Sequence, residues 1–177
     1  KGWYSIGPVS GAPLFYFHAR KILARSIRYG ASMPFYVMTS EANNEATVRC
    51  FEENDYFGLN PDDVFFFTQG MWPGMDKDGK IILDRPGHIF MSPDGHGGLL
   101  AALKRSGALA DMKKRGIRSV FFFQVDNPLV EIADPAIKAA YERYLAARVE
   151  VYGEEKAAKR PQTLMDVATI GTKTLKK

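Results

Sequence analysis

Cysteine is almost missing from this chain. Cys50 stands alone, so no disulfide can close within the 177 residues, and a reducing compartment is permitted. Its place in a helical pattern beside Val48 and Phe51 suits a small apolar group better than a nucleophile. Long apolar runs are absent too: nothing approaches the roughly 18 residues that span a bilayer, and Lys1-Gly2-Trp3-Tyr4 has none of the order of a signal peptide. The expectation is a soluble, cytoplasmic chain that does not engage a membrane. The histidines lie far apart and no Cys or His pair has zinc spacing, so no zinc site is expected; His18 and His88 read as incidental. Low-complexity tracts and recognisable nucleic-acid modules are also lacking. The formal charge is only +4, and its excess collects near the end at Lys156, Lys159, Arg160, Lys173, Lys176 and Lys177. That cluster reads as a solvated segment, with phosphate-bearing small molecules the next candidate partners and nucleic acid not expected.

What is present is enough for a real core: 46% of the residues are hydrophobic, in a chain of ordinary domain size. Leu14, Phe15, Phe17, Ile22, Leu23 and Ile27 alternate with Arg20, Lys21, Arg25 and Arg28 at helical spacing, and Gly30 stops the pattern, which predicts an amphipathic helix over 14–29. Phe35–Thr39 is short, β-prone and apolar on both faces. Ser40 and Glu41 follow it and can cap a helix running to about Asn54. Val64–Gln69 repeats the buried-strand signature after the turn residues Pro61-Asp62-Asp63, with Gln69 at its exit. Asp76–Lys80 is a tight turn, and Ile81-Ile82-Leu83 and Ile89-Phe90-Met91 read as short hairpin strands. A helix from about Gly98 to Arg115, with a break at Gly107, leads to Ser119–Val125, a third apolar strand closed by Asp126-Asn127; a helical pattern resumes from Pro135 through Tyr141 to Leu145.

Strand and helix alternate, so the fold class is α/β: a parallel sheet with helices on both faces. In such sheets ligands gather beyond the carboxyl ends of the strands. On this reading Thr39-Ser40-Glu41, Gln69 and Asp126-Asn127 share that rim with the glycine-rich turn Pro93-Asp94-Gly95-His96-Gly97-Gly98. Gly95, Gly97 and Gly98 permit close backbone approach and positive φ, and the helix that follows offers N–H groups to an anion. A plain surface turn is the alternative for the glycines, as a turn or cap before Pro128 is for Asp126. Asp126 at the end of an apolar strand suits Mg²⁺, which takes one or two carboxylates with phosphate oxygens and water. The Gln69 amide carries the donor and acceptor needed to read the imide edge of uracil. His96 is a candidate phosphate or base contact.

Taken in order, Lys1-Gly2-Trp3-Tyr4 with Ile6-Gly7, Met38-Thr39-Ser40-Glu41, Phe67-Thr68-Gln69-Gly70, Asp78–Leu83, Pro93–Gly98 and Gln124–Val130 resemble the UDP-sugar pyrophosphorylases, most of all the UDP-N-acetylglucosamine pyrophosphorylase type. The resemblance runs from Lys1 to about Pro135. It implies a Rossmann-like nucleotidyltransferase sheet flanked by helices, incomplete in this chain, and an enzyme that joins UTP and a sugar 1-phosphate into UDP-sugar and pyrophosphate with Mg²⁺. Carried over, it makes Lys1 the catalytic phosphate-binding lysine and Asp126 the metal ligand. Gln69 and Gly95 become uracil contacts, and His96, Gly97 and Asn127 further substrate contacts. In the family a glycine-rich loop lies just before that lysine, so the 177 residues by themselves are expected to be inactive. Residues 1–135 then form the nucleotide- and sugar-binding part of the catalytic domain, and 136–177 a helical, basic segment of unknown role. The position of His96 is asparagine in eukaryotic N-acetylglucosamine enzymes and histidine in some broader relatives, leaving glucose and N-acetylglucosamine both open. A catalytically silent nucleotide- or sugar-binding module is the alternative function.

Overall fold

The computed structural model describes residues 1–143 apart from 138 and 141. The basic cluster from Lys156 onward, and most of the 136–177 segment, lie outside the described residues. The chain divides into two compact units, one made of Lys1–Met33 with Lys113–Lys177 and the other of Pro34–Met112. Among the described residues no helix is long and apolar enough to cross a membrane.

The first unit is built on α1, Leu14–Tyr29, which has the bounds its periodicity predicts. Leu14, Phe15, His18, Ala19 and Ile22 form its buried face, and Gly30 ends it with a left-handed φ of 58°. The first N–H groups of a helix have no partner within it, and here the preceding chain supplies two: Leu14 N–H donates to Tyr4 O (3.1 Å) and Phe15 N–H to Gly2 O (2.9 Å). Gly2 is buried, and a Cβ there would overlap the ring of Phe15. The Lys1-Gly2 pair is thereby fixed against the start of α1.

The second unit opens with β1, Phe35–Thr39, paired in parallel with β2, Val64–Thr68, in the register Phe35 to Val64 through Thr39 to Thr68. Between them runs α2, Asn44–Glu53, so the β1–α2–β2 order gives the parallel crossover that the sequence predicts. Phe51 is fully buried at its centre, with Phe57 and Phe66 rings 5.1 Å away and Phe35 and Tyr56 rings at 6.2 Å. The bend after α2 is unusual: Asp55, Tyr56 and Phe57 all have positive φ, 48°, 48° and 55°, a conformation that costs L-residues energy. Burial of Phe57 against Phe51 offsets that strain.

Beyond β2 come β3, Met71–Pro73, paired antiparallel with β6, Met91–Pro93, and the hairpin β4, Leu83–Arg85, with β5, His88–Ile89. The tight turn is built as its sequence suggests, with the Asp76 carboxylate accepting from the N–H groups of Asp78 and Lys80 and Gly79 at φ 78°. Then follow α3, Leu99–Arg105, and α4, Ala108–Lys114, separated at Gly107, whose φ is 82°. Tyr36 on β1 donates to the Asp111 carboxylate of α4 at 2.6 Å.

Two expectations are corrected. Residues 119–125 form no strand; the three sheets among the described residues are two-stranded and none includes them. An apolar run signals a tendency to be covered, not a partner to pair with, and a strand exists only with a ladder partner; here Val120, Phe121, Phe122, Phe123 and Val125 are only half-buried. The helix after β1 begins at Asn44, not directly after Ser40-Glu41. Ser40 instead closes a turn, its carbonyl accepting from Asn43 and Asn44 N–H while its own N–H donates to the Asn43 side chain.

Candidate functional site

Gln69 sits where β2 ends, and its N–H extends the ladder by donating to Thr39 O at 2.8 Å. Thr39 is itself pinned, its buried hydroxyl 2.7 Å from Asn44 Oδ1 and 3.2 Å from Phe67 O. The next residue, Gly70, accepts from Asp94 N–H at 2.9 Å, which brings the glycine-rich turn to the exit of β2.

That turn is a single 3₁₀ segment, Gly95–Gly98. Its glycines serve two purposes. At Gly95, with φ 59°, and at Gly97 an added Cβ would meet nothing within 4 Å, so both leave an open backbone face. At Gly70 and Gly98 a Cβ would overlap the Asp94 carboxylate, which is wedged against both backbones; its Oδ1 is buried and has no hydrogen-bond partner among the described residues. Gln69, Gly95, His96 and Gly97 are therefore brought together on one surface of the second unit, with His96 and Gly97 exposed.

In the first unit Lys1 and Asp126 meet, though 125 residues separate them: Lys1 Nζ donates to Asp126 Oδ2 at 3.0 Å. The two side chains are 73% and 46% exposed, and an ion pair so wet contributes about 0–1 kcal/mol at most. It therefore does not build the site; it is the product of what holds each partner. Lys1 is held through Gly2 at the start of α1. Asp126 lies in a turn in which Asn127 N–H donates to Gln124 O (3.2 Å) and the Asn127 side-chain oxygen accepts from Leu129 N–H (3.2 Å).

His18, passed over as incidental in the sequence, is the residue that pattern reading missed. It is fully buried, its Nε2–H donates to Val125 O at 2.8 Å, and its ring lies 4.9 Å from that of Phe123. Donation from Nε2 leaves Nδ1 as the bare nitrogen of a neutral ring, and Nδ1 has no partner among the described residues. Burial pushes the His18 pKa down; the bond to Val125 O opposes this and the nearby Lys21 charge adds to it. A signal was available, because His18 lies four residues from both Leu14 and Ile22 on the apolar stripe of α1. His88, by contrast, pairs with Asp84 at 2.7 Å in the exposed β4–β5 hairpin.

Cys50 is half-buried rather than fully buried. Burial, then the charge of Glu53, pushes its thiol pKa up, which leaves little thiolate and suits the non-nucleophilic reading.

No cluster of three or more His, Cys, Asp or Glu able to hold a metal occurs among the described residues. A lone, half-exposed carboxylate beside an ammonium group does not match a zinc or calcium cage. Its chemistry suits Mg²⁺, which Asp126 would hold together with oxygens of a phosphate-bearing ligand whose charge Lys1 would meet.

The chain matches the model of the family described as UTP–glucose-1-phosphate uridylyltransferase over residues 1–167. It is 44% identical over 145 residues to UDP-N-acetylglucosamine diphosphorylase 1 of Arabidopsis thaliana, covering 76% of this chain and 29% of that protein. It is 39% identical over 151 residues to UDP-N-acetylglucosamine pyrophosphorylase of Saccharomyces cerevisiae, covering 80% of this chain and 32% of the relative. Among solved structures it resembles the uridine diphosphate N-acetylglucosamine pyrophosphorylase of Trypanosoma brucei in complex with an inhibitor, with a TM-score of 0.70 and 33% identity over 84% of this chain and 32% of that one. The chain thus spans about a third or less of the length of these relatives.

Proposed function

The chain belongs to the UTP–glucose-1-phosphate uridylyltransferase family, and from that premise we propose that the full-length protein carrying it joins UTP and a sugar 1-phosphate into UDP-sugar and pyrophosphate. The observation that carries the reading is the meeting of Lys1 and Asp126 at 3.0 Å. A cation and a metal-competent carboxylate side by side are what a phosphoryl group needs at the point of transfer.

In this reaction a phosphate oxygen of the sugar 1-phosphate attacks the α-phosphorus of UTP in line. The new P–O bond forms as the bond to the β-phosphate oxygen breaks, and pyrophosphate leaves with the electron pair. Lys1 neutralises charge on the transferred group. Asp126 would hold Mg²⁺, which when bound supplies further charge neutralisation on the phosphate oxygens. Asn127 orders the turn that carries Asp126. The Gln69 amide reads the uracil edge, the open backbone at Gly95 lets the base approach closely, and His96 and Gly97 face the sugar side. The names of the relatives favour N-acetylglucosamine 1-phosphate over glucose 1-phosphate. A reducing cytoplasm, compatible with the lone thiol of Cys50, is the setting.

The test is pyrophosphate release by the full-length protein from UTP, Mg²⁺ and a panel of hexose and N-acetylhexosamine 1-phosphates. Release is expected with N-acetylglucosamine 1-phosphate, and Asp126→Ala should lower it by at least about 10²–10³-fold, the scale of one lost electrostatic partner of a transition state, with the circular dichroism spectrum unchanged. Binding of uridine nucleotide without turnover on any sugar of the panel would replace this reading with that of a silent binding module.

A further inference from the structure

One face of α1 grips the turn that carries Asp126. His18, Lys21 and Arg25 stand three and four residues apart, on one side of the helix. His18 Nε2–H donates to Val125 O at 2.8 Å. Lys21 Nζ donates to Pro128 O at 2.5 Å and to Val130 O at 3.0 Å. The Arg25 guanidinium donates to the Glu131 carboxylate at 2.8 Å. Asp126 lies between the first two of these anchors. No strand ladder includes residues 124–131, so side chains of α1 meet backbone carbonyls that a sheet neighbour would otherwise satisfy.

His18 sharpens the point. A buried imidazole whose Nδ1 finds no partner among the described residues is costly where a leucine would pack well. What it supplies that an apolar residue does not is the donor to Val125 O. The same helix holds Lys1 through its first N–H groups, so a single rigid element sets the positions of both charged members of the candidate site.

We propose that His18 and Lys21 are positioning residues that act through the backbone of residues 125–130 to hold the Asp126 carboxylate in its place beside Lys1. The inference rests on the uridylyltransferase reading for its catalytic consequence, but its structural core is independent of it. Outer-shell partners of a metal ligand typically matter 10–100-fold in metal affinity or activity, and an effect of about that size is expected here.

The test uses the full-length protein with Lys21→Met, which keeps the apolar stem, and with His18→Leu and His18→Gln, the last retaining an amide donor in place of the Nε2–H. Backbone hydrogen exchange, Mn²⁺ affinity in the presence of UDP by electron paramagnetic resonance, and steady-state kinetics are measured for each. Lys21→Met and His18→Leu are expected to speed exchange at Asn127, Leu129 and Val130 relative to α1. They should weaken Mn²⁺ binding and raise the half-saturating Mg²⁺ by about 10-fold or more, while leaving KM for the sugar phosphate within about twofold. His18→Gln is expected to recover most of the loss. Native exchange and native Mn²⁺ affinity in Lys21→Met would overturn the proposal. So would a loss spread evenly over the whole first unit with no recovery in His18→Gln, since that marks ordinary core packing. If the unaltered protein shows no turnover, the uridylyltransferase reading fails, while exchange and Mn²⁺ binding still decide whether the grip exists.

Discussion

The two units hold their candidate site residues by different means. In Pro34–Met112, Gln69 and the glycine turn hang on backbone bonds, Gln69 N–H to Thr39 O and Asp94 N–H to Gly70 O, over a core of phenylalanines packed edge to face around Phe51. In the other unit Asp126 sits on a turn outside any ladder, held by side chains of α1. Backbone bonds persist whatever the side chain, so the first arrangement yields to changes that empty its core or crowd the Asp94 carboxylate at Gly70 and Gly98. The second yields to single polar substitutions that leave the core whole.

The largest effect that would break this contrast belongs to the core. Phe51→Ala removes a fully buried ring and is expected to lower stability by about 3–5 kcal/mol, read from denaturant unfolding of the full-length protein. A loss below about 1 kcal/mol would show that the aromatic cluster does not carry the second unit. Next comes Gln69→Leu. With the backbone of Gln69 held by Thr39, only the amide is lost, so KM for UTP should rise about 10-fold or more, the order of one to two lost hydrogen bonds, while KM for the sugar phosphate stays near native. Equal changes in both would make Gln69 structural.

The smallest effect separates the units by pH. Burial holds the His18 pKa below its ordinary value, with Lys21 on the same helix adding to the depression. Unfolded, His18 binds a proton near pH 6.5; folded, it does so only at lower pH. Its neutral form therefore contributes fully above that range, and stability falls as the pH drops from the unfolded value toward the folded one. As the pH falls below about 6.5, exchange protection at residues 125–130, corrected for the intrinsic rate, should drop more than in β1 and β2, and His18→Gln should flatten that difference.

Much of the scaffold could be read directly from residue order. The 3.6-residue pattern with its Gly30 stop predicts α1 to both of its ends, the apolar blocks predict β1 and β2, and Asp76-Lys77-Asp78-Gly79 predicts its turn, because each signal is local. Residues 119–125 defeated the same reasoning because pairing depends on a neighbour elsewhere in the chain. The start of α2 was misplaced because Asn43 and Ser40 bond to each other before the helix begins. The Lys1–Asp126 pair was foreshadowed only by the family likeness, since nothing in spacing joins residues so far apart. His18 reads as incidental in the sequence because its partner is a backbone carbonyl that no sequence motif marks.

The wedge of Asp94 between Gly70 and Gly98 has a consequence for how this surface can vary over evolutionary time. A methyl group at either glycine overlaps the same carboxylate, so neither can drift alone, and each of the three positions sets what the other two tolerate. Alanine at Gly98 requires the Asp94 carboxylate to move or to be replaced by a smaller side chain, and either change also relieves the contact at Gly70. The three positions share one contact, so double substitutions here are expected to depart from the sum of the single ones.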